Sequence, residues 1–155
     1  MPSGKELYVT KIKDGTVIDH ISPGFALNVI RILNITGKEG YVLSAVVNVP
    51  SGKLGKKDIV KIESRELIPE EVDKIALISP KATINIIRNY EVVDKKKVKL
   101  PKVIKGIVRC INPSCISNAK EPIESFFLVE IVDPLRIRCH YCGGIMEMSD
   151  VLKQF

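Results

Sequence analysis

The segments CINPSC (residues 110–115) and CHYC (residues 139–142) contain all four cysteines of this 155-residue chain, with 23 residues between them. Tetrahedral zinc needs four soft ligands about 2.3 Å from the metal, and two close cysteine pairs separated by a loop provide such a set. Two disulfides or four free thiols are the alternative interpretation. Because the residues in and beside both pairs are typical of tight turns, the spacing favours a metal site at Cys110, Cys115, Cys139 and Cys142.

The residues around the second cysteine pair refine this interpretation. Gly143 and Gly144 follow it, and glycine lets a turn adopt positive φ while backbone N–H groups point at the sulfur atoms. Four thiolates leave no coordination position for water or substrate, so the metal is expected to be structural rather than catalytic. His140 lies inside the pair and is expected to be an exposed residue, not a fifth ligand.

Composition indicates a globular chain, with 45% hydrophobic and 27% charged residues. Its length allows one ordinary domain or two small ones. The sequence has no apolar run of the roughly 20 residues that span a bilayer, and its first six residues have no apolar signal core. A reducing cytoplasm is therefore the expected compartment, with no membrane association, and there cysteines serve as metal ligands.

The net charge of +6 is concentrated in one part of the chain. Residues 88–109 contain eight lysine or arginine residues against only Glu91 and Asp94. Such a run can face an anionic ligand, a nucleic acid or an acidic protein surface, or it can be a solvated linker. Aromatic residues make up only 5% of the chain and tryptophan is absent, so stacking platforms for single-stranded nucleic acid are not apparent.

Apolar periodicity and turn residues predict the order βαββαβ in the first part of the chain. A helix is predicted from Ser22, as its N-cap, through Pro23 in the first turn to about Asn34, and a second from Pro69 to Ser79. Strands are predicted at Leu7–Lys13, Thr16–Ile21, Tyr41–Val49, Asp58–Glu63 and Ala82–Asn89. This order favours an α+β, ferredoxin-like sandwich, with one antiparallel sheet and both helices on the same face.

A second, smaller unit is predicted to follow. Lys95–Lys102 is the candidate linker, so the boundary divides the chain into residues 1–98 and 99–155. The second unit is expected to be a small all-β zinc domain with strands at Val103–Arg109, Ser125–Val132 and Leu135–Cys139. It contains few large apolar residues, so zinc is expected to supply much of its folding free energy.

No recognisable catalytic constellation is present in the sequence. Asp19 and His20 interrupt an apolar strand, where they are either a satisfied edge pair or ligands for a ribose hydroxyl and a phosphate. No partners for a catalytic triad accompany them. The basic loop at residues 50–57 resembles a phosphate loop only in composition, because no complete phosphate-binding motif is present. The chain is therefore expected not to be an enzyme.

Several short segments of the sequence, taken together, are highly specific for one protein family. The GTVIDHI segment at residues 15–21 resembles the regulatory chain of aspartate carbamoyltransferase. The same resemblance holds for the segments PSG (50–52), GKKD (55–58), KIE (61–63), YEVV (90–93), for Pro80, Ala82, Thr83 and Asn85, and for the cysteine pattern. It extends from about residue 7 to 148.

The resemblance implies a non-catalytic, allosteric subunit of a pyrimidine-biosynthetic enzyme. Its first domain (1–98) would bind the nucleotide effectors CTP, ATP and UTP, and its zinc domain (99–155) would contact the catalytic chain. The implied assembly has two catalytic trimers bridged by three regulatory dimers. No nucleic-acid partner is implied.

The resemblance also implies roles for individual residues. Asp19 and His20 would hold ribose and phosphate, Lys61 would approach base and ribose, and Lys95 would contact ribose and phosphates. Backbone groups near Ile12 and Tyr90 would read the edge of the base. The pocket would be lined by Val17, Asn85, Ile87 and Val92, and the zinc ligands would be Cys110, Cys115, Cys139 and Cys142.

Overall fold

A computed structural model describes residues 11–52, 55–120 and 123–155. Its helices are α1 (Ala26–Ile32), α2 (Pro69–Ile78) and α3 (Met148–Leu152), and one 3-10 turn occupies Ile116–Asn118. Its strands are β1 (Gly15–Ile21), β2 (Leu43–Ser51), β3 (Gly55–Glu63), β4 (Thr83–Arg88), β5 (Glu91–Lys97), β6 (Val103–Lys105), β7 (Phe126–Ile131), β8 (Arg136–Cys139) and β9 (Ile145–Glu147).

The larger sheet has the strand order β2-β3-β1-β4-β5, and all neighbouring strands are antiparallel. The first four strands in this order, with α1 after β1 and α2 after β3, form the predicted ferredoxin-like sandwich. The α+β fold class is thus confirmed, with β5 added as a fifth strand at one edge. The fold brings the two sequence-distant strands β3 and β4 to either side of β1.

One face of this sheet packs against α1 and α2. Ile18, Val60 and Ile84 come from three neighbouring strands and are buried to 1% exposure or less. They share one apolar cluster with Val29 of α1 and Ile75 of α2. Because side chains alternate across a strand, the residues next to these in sequence point away from the helices. We call this second side the outer face of the sheet.

The start of α1 differs from the prediction. The helix begins at Ala26, and the predicted cap, Ser22, belongs to a preceding turn in which its carbonyl accepts a hydrogen bond from Phe25 N at 3.0 Å. The acceptor at the start of the helix is Asp58, whose Oδ2 accepts from the N–H of Ala26 and from that of Gly24 in the preceding turn, at 2.9 Å each. A carboxylate from a distant strand therefore replaces the local cap, which sequence spacing alone does not reveal.

One further prediction fails at the edge of the sheet, and another can be compared with the structure only in part. Lys95–Lys97, predicted as the start of a linker, lies in β5 and pairs with β4. Every residue of β5 is exposed, so the strand carries no alternating apolar pattern that would reveal it. The predicted strand Leu7–Lys13 lies partly outside the described residues, and its described part, residues 11–13, forms no strand.

The smaller sheet has the order β6-β7-β8-β9 and is antiparallel throughout. The three predicted strands appear here with shorter bounds, while β9 and α3 were not predicted because each is very short. Val151 of α3 is fully buried, and α3 contacts α2. Val98 and Phe127 belong to the same apolar cluster as the helices of the larger sheet, so the cluster runs continuously between the two sheets. Within the described residues, no helix has the length and apolar character needed to cross a membrane.

Candidate functional site

Four of the residues selected from the sequence form one row across the larger sheet. Val17 in β1 lies opposite Lys61 on one side and opposite Asn85 on the other. Asn85 in turn lies opposite Lys95 in β5. The row Lys61–Val17–Asn85–Lys95 therefore crosses four adjacent strands, with a lysine at each end.

This row lies on the outer face. The neighbours of Val17 in sequence, Thr16 and Ile18, are both fully buried, and Ile18 packs in the helix-facing core. Alternation along β1 then places Val17 on the opposite side. Asn85 is 8% exposed and its side-chain nitrogen donates to the carbonyl of Val17 at 3.3 Å. The row thus has a rigid polar group at its centre.

A β-bulge presents the Asp19–His20 pair next to this row. The pairing of β1 with β3 shifts register between Ile18 and Ile21, and His20 has a φ of 54°. Asp19 Oδ1 accepts a hydrogen bond from the backbone N–H of His20 at 2.6 Å. The Nδ1 atom of His20 lies 3.0 Å from the hydroxyl of Thr83, which lies opposite Asp19 on β4. Bulges re-aim side chains in this way next to functional sites.

Lys57 is a member of this cluster that the sequence did not single out. Its Nζ lies 2.9 Å from Asp19 Oδ1 and 3.2 Å from Oδ2, and both side chains are mostly buried. The predicted strand begins at Asp58 and leaves Lys57 in the preceding loop, whereas β3 begins at Gly55. A strand that includes Lys57 puts it on the same face as Lys61, which is the signal that could have found it.

The pKa of Lys61 is shifted by its surroundings. Partial burial lowers the pKa of its ammonium group, the negative charge of Asp19 opposes that shift, and Lys11 adds to it. The carboxylate of Asp19 thus lies within electrostatic reach of two lysines, Lys57 and Lys61. This arrangement offers a carboxylate acceptor for hydroxyl groups beside ammonium donors for an anion.

The remaining selected residues lie around the β4–β5 hairpin, on the side of the row opposite to Asp19 and His20. Ile87 lies opposite Val92, and the N–H of Tyr90 donates to the carbonyl of Lys13 at 2.9 Å. Ile12 is 5% exposed. Tyr90 and Val92 are well exposed, so they leave an apolar surface beside the polar row. The outer face therefore runs from an apolar end to a charged end, which suits a ligand with one flat apolar part and one anionic part.

The four cysteines meet in the smaller unit. All four sulfur atoms lie within 4.8 Å of one another, and the Cys110–Cys142 and Cys115–Cys139 sulfur pairs are each 3.6 Å apart. Four sulfurs placed tetrahedrally about 2.3 Å from a zinc ion would be about 3.8 Å apart. The donor set and its spacing therefore fit a four-coordinate metal.

The surroundings of the sulfur atoms fit the same role. Gly143 has a φ of 76°, and Gly144 N donates to the Cys142 sulfur at 3.4 Å, as the sequence predicts. That backbone hydrogen bond is the main reason that the pKa of Cys142 falls to about 6. Burial raises the pKa of Cys110 to about 12, and burial also raises that of Cys139. A cation would stabilise all four thiolates, since metal binding displaces thiol protons.

Two polar residues form hydrogen bonds to the first cysteine pair and the turn between its members. The Ser117 hydroxyl lies 3.1 Å from the Cys115 sulfur, and this hydrogen bond is the largest cause of the lowered pKa of Cys115. Asn118 Nδ2 donates to the carbonyls of Cys110 and Asn112, at 2.8 Å and 2.9 Å, and so closes the first turn. His140 is exposed, as predicted, and its ring packs 4.7 Å from that of Phe126.

Comparisons with known proteins agree with both parts of this description. Residues 7–99 match the family model of the aspartate carbamoyltransferase regulatory chain, allosteric domain, and residues 102–152 match that of the same chain's metal binding domain. The aspartate carbamoyltransferase regulatory chain of Korarchaeum cryptofilum is 56% identical over 151 residues, covering 97% of this chain and 96% of that protein.

Two further relatives have the same name. The regulatory chain of Hyperthermus butylicus is 54% identical over 155 residues, covering 99% of this chain and 97% of its own length. That of Methanothrix thermoacetophila is 59% identical over 138 residues, covering 89% and 90%. The chain therefore belongs to the family of aspartate carbamoyltransferase regulatory chains, as a non-catalytic subunit with an allosteric and a metal-binding domain.

Proposed function

We propose that residues 1–98 form a domain that binds the nucleotide effectors CTP, ATP and UTP on the outer face of the larger sheet. In this proposal, the polar contacts to ribose and phosphates come from Asp19, His20, Lys61 and Lys95. Backbone groups near Ile12 and Tyr90 read the base. The pocket is lined by Val17, Asn85, Ile87 and Val92.

The row Lys61–Val17–Asn85–Lys95 is the observation that carries this proposal. It lies between the bulged Asp19–His20 pair and the apolar hairpin end, so the outer face brings together the three kinds of group that a nucleotide needs. Apolar groups suit the base, the carboxylate of Asp19 suits ribose hydroxyls, and ammonium groups suit phosphates. Lys57 joins this set because it is already paired with Asp19 at 2.9 Å.

We further propose that residues 99–155 hold one structural zinc ion through Cys110, Cys115, Cys139 and Cys142 and contact the catalytic chain. The tight sulfur cluster supports a thiolate-preferring metal, and zinc is the usual ion in closed four-cysteine sites. The relatives' name, a regulatory chain of aspartate carbamoyltransferase, supports the catalytic chain of that enzyme as the partner. The proposed role of the complex is in pyrimidine biosynthesis. The proposed assembly has two catalytic trimers bridged by three regulatory dimers.

Regulation in this scheme is a coupling free energy between the effector site and the catalytic chain. Such couplings are typically about 1–3 kcal/mol and are reciprocal. The apolar cluster that runs continuously from the helices of the larger sheet to Phe127 offers a packed path between the two units. A nucleotide that binds one quaternary state more tightly would shift the catalytic partner toward that state.

A calorimetric titration of the zinc-loaded chain tests the effector proposal directly. CTP and ATP should each bind saturably with one nucleotide per chain, whereas a short oligonucleotide should bind weakly. Repeating the titrations at high salt concentration distinguishes nucleotides from oligonucleotides, because an affinity that depends on many phosphate contacts falls steeply as the salt concentration rises. Tight, salt-sensitive oligonucleotide binding without nucleotide binding would instead identify a nucleic-acid-binding protein.

Single substitutions test the assigned residues. Asp19→Ala and Lys95→Ala should each weaken nucleotide binding, whereas Lys38→Ala, a change at an exposed lysine in the loop after α1, should not. Unchanged affinity in both site variants would show that the site is assigned wrongly. Cys115→Ser should lose the metal and the catalytic chain but retain nucleotide binding. A metal-free variant that still binds the catalytic chain would contradict the assignment of that contact to the zinc domain.

A further inference from the structure

An open cavity of about 430 Å³ lies at the junction of α1, α2 and the segment after α3. Its walls come from the end of α1 and the residues that follow it, from Lys74 in α2, and from Gln154 and Phe155. The two helices cover the side of the larger sheet opposite to the outer face, so the sheet separates this cavity from the proposed effector site. Cavities of this size where separate units of a chain meet are common ligand sites.

Two cationic side chains line the cavity, and no acidic side chain is among its lining residues. Arg31 lies in the last turn of α1 and is exposed, while Lys74 in α2 is half-buried. Within the described residues, neither of them forms an ion pair. Both are therefore available to a negatively charged group, which ammonium and guanidinium groups hold through charge-assisted hydrogen bonds.

The buried part of the lining is apolar. Ile32 and Ile35 are 2% and 7% exposed, and Phe155 packs against the same apolar cluster. Aliphatic and aromatic carbon surface of this kind favours an apolar body, because both surfaces lose contact with water when they meet. The lining therefore combines an apolar floor with two cations nearer to solvent, which suits an organic anion better than an inorganic one.

Hydrogen bonds hold two walls of the cavity in place. Gln154 Oε1 accepts from the N–H of Arg109 at 2.7 Å, and Gln154 Nε2 donates to the carbonyl of Arg109 at 2.6 Å. At the end of α1, Asn34 has a φ of 59° and its N–H donates to the carbonyl of Arg31 at 2.9 Å. The cavity is therefore formed before any ligand binds, so little ordering of the chain would oppose binding.

We propose that this cavity binds a small organic anion with an apolar ring, such as an aromatic carboxylate. The carboxylate contacts Arg31 and Lys74, and the ring lies against Ile32, Ile35 and Phe155. A ligand held in this way contacts α1, α2 and the segment after α3 together, so it stabilises the contact between the units of the larger and the smaller sheet. The inference goes beyond the proposed effector function and does not depend on it, because it concerns other residues on the other side of the sheet.

The test is a titration of the full zinc-loaded chain with benzoate, followed by the amide chemical shifts in two-dimensional NMR spectra. Benzamide is the matched neutral probe, because it has the same ring and nearly the same shape without the charge. We expect saturable shifts at the amides of Ile35, Lys74 and Phe155, with a benzoate dissociation constant on the order of 1 mM. Benzamide should bind at least about fivefold more weakly, because it lacks the charge-assisted hydrogen bonds.

Two substitutions test the contacts to the carboxylate. Arg31→Gln and Lys74→Gln should each weaken benzoate binding by about threefold or more and change benzamide binding by less than about twofold, since each removes one charge-assisted contact. Lys153→Gln is the matched control, because Lys153 is exposed and adjoins Gln154 but does not line the cavity. Its benzoate affinity should stay within about twofold of wild type, since exposed charges at a distance are screened by salt.

Three results would overturn the proposal, provided that amide shifts away from the cavity show each variant to be folded. The absence of saturable shifts at the cavity would show that it takes no aromatic anion. Equal affinities for benzoate and benzamide, or equal effects of Lys153→Gln and the two cavity variants, would remove the role assigned to the cations. Shifts confined to the outer face around Asn85 would place benzoate in the effector site instead. A failure of nucleotide binding would leave this inference intact.

Discussion

The carboxylate of Asp58 lies 2.9 Å from the backbone nitrogen of Ala26, the first residue of α1. Its other oxygen accepts from Asn48 N at 2.9 Å, in the irregular part of β2. Asp58 is fully buried and lies opposite Ile21, at the end of the bulge that carries Asp19 and His20. One side chain thus connects the start of α1, a bulge in β2 and the proposed effector site.

Replacement of Asp58 by asparagine should destabilise the chain by about 3 kcal/mol. One carboxylate oxygen would become an NH₂ group, which cannot accept a hydrogen bond, so at least one of the N–H groups of Gly24, Ala26 and Asn48 would lose its acceptor. Chemical denaturation of the zinc-loaded protein measures the change. Asp73→Asn is the control: burial raises the pKa of Asp73, so loss of its charge should cost no stability at pH 7. Equal losses in both variants would contradict the role assigned to Asp58.

Gly15 should tolerate no side chain. It has a φ of 141°, and a Cβ there would lie 2.1 Å from the carbonyl oxygen of Ile62 on β3. Gly15→Ala should therefore lower the free energy of unfolding by at least about 2 kcal/mol, through strain and a backbone clash. Gly52→Ala is the matched control, because a Cβ at Gly52 meets nothing within 4 Å. Similar stabilities of the two variants would show that β1 can shift to relieve the clash.

Nucleotide binding should weaken at high pH through Lys61. Partial burial lowers the pKa of this lysine, so its ammonium charge, and with it the attraction for phosphate or ribose oxygens, is lost at a lower pH than for an exposed lysine. Asp19 raises the same pKa, so Asp19→Asn should move the loss of affinity to still lower pH. Titrations from pH 7 to 11 measure the effect.

Lys61→Arg is the control for that experiment, because a guanidinium keeps its charge throughout this range. The nucleotide affinity of this variant should not fall between pH 7 and 11 through loss of charge at residue 61. A pH profile that is identical in wild type, Asp19→Asn and Lys61→Arg would exclude Lys61 from the effector contact.

Metal affinity should increase with pH. Burial raises the pKa of Cys110 to about 12 and also raises that of Cys139, so a metal must displace protons from both at pH 7.5. Cys142, with a pKa of about 6, is already a thiolate at that pH. Calorimetry in buffers of different ionisation enthalpy should therefore find that zinc binding releases at least two and fewer than four protons.

His140→Ala is the control for the metal site, because His140 is exposed and is not one of the four clustered side chains. The variant should bind zinc with the same affinity and the same pH dependence as wild type. Loss of zinc in this variant, or release of four protons by wild type at pH 7.5, would contradict the proposed ligand chemistry.

Much of this architecture follows from local sequence signals. The cysteine spacing predicted the sulfur cluster, because two ligands with only four or two residues between them in a turn lie close together. Pro69 with Glu70 and Glu71 predicted the start of α2, where the structure places it. The apolar alternation around Ile18 and Val60 predicted strands, and the βαββαβ order predicted how they associate.

The failures have a common physical cause, which is that the deciding partner is distant in sequence. Ser22 has the chemistry of an N-cap, but Asp58 from β3 supplies the acceptor and moves the start of α1 to Ala26. β5 is a strand because the edge of β4 offers it backbone hydrogen bonds, although its own side chains are charged and exposed. Neither effect leaves a periodic signal in the segment concerned.

The sequence by itself thus determined the α+β class, the closeness of the four cysteines and the family. These depend on the order of helices and strands, on the spacing of the cysteines and on short characteristic segments. Only the tertiary structure decided which residues share a face. Antiparallel register aligned Lys61, Val17, Asn85 and Lys95 and brought Lys57 to Asp19. Register depends on hydrogen bonds between strands far apart in the chain, and a one-residue shift of any one strand would move the side chains of that strand to the other face.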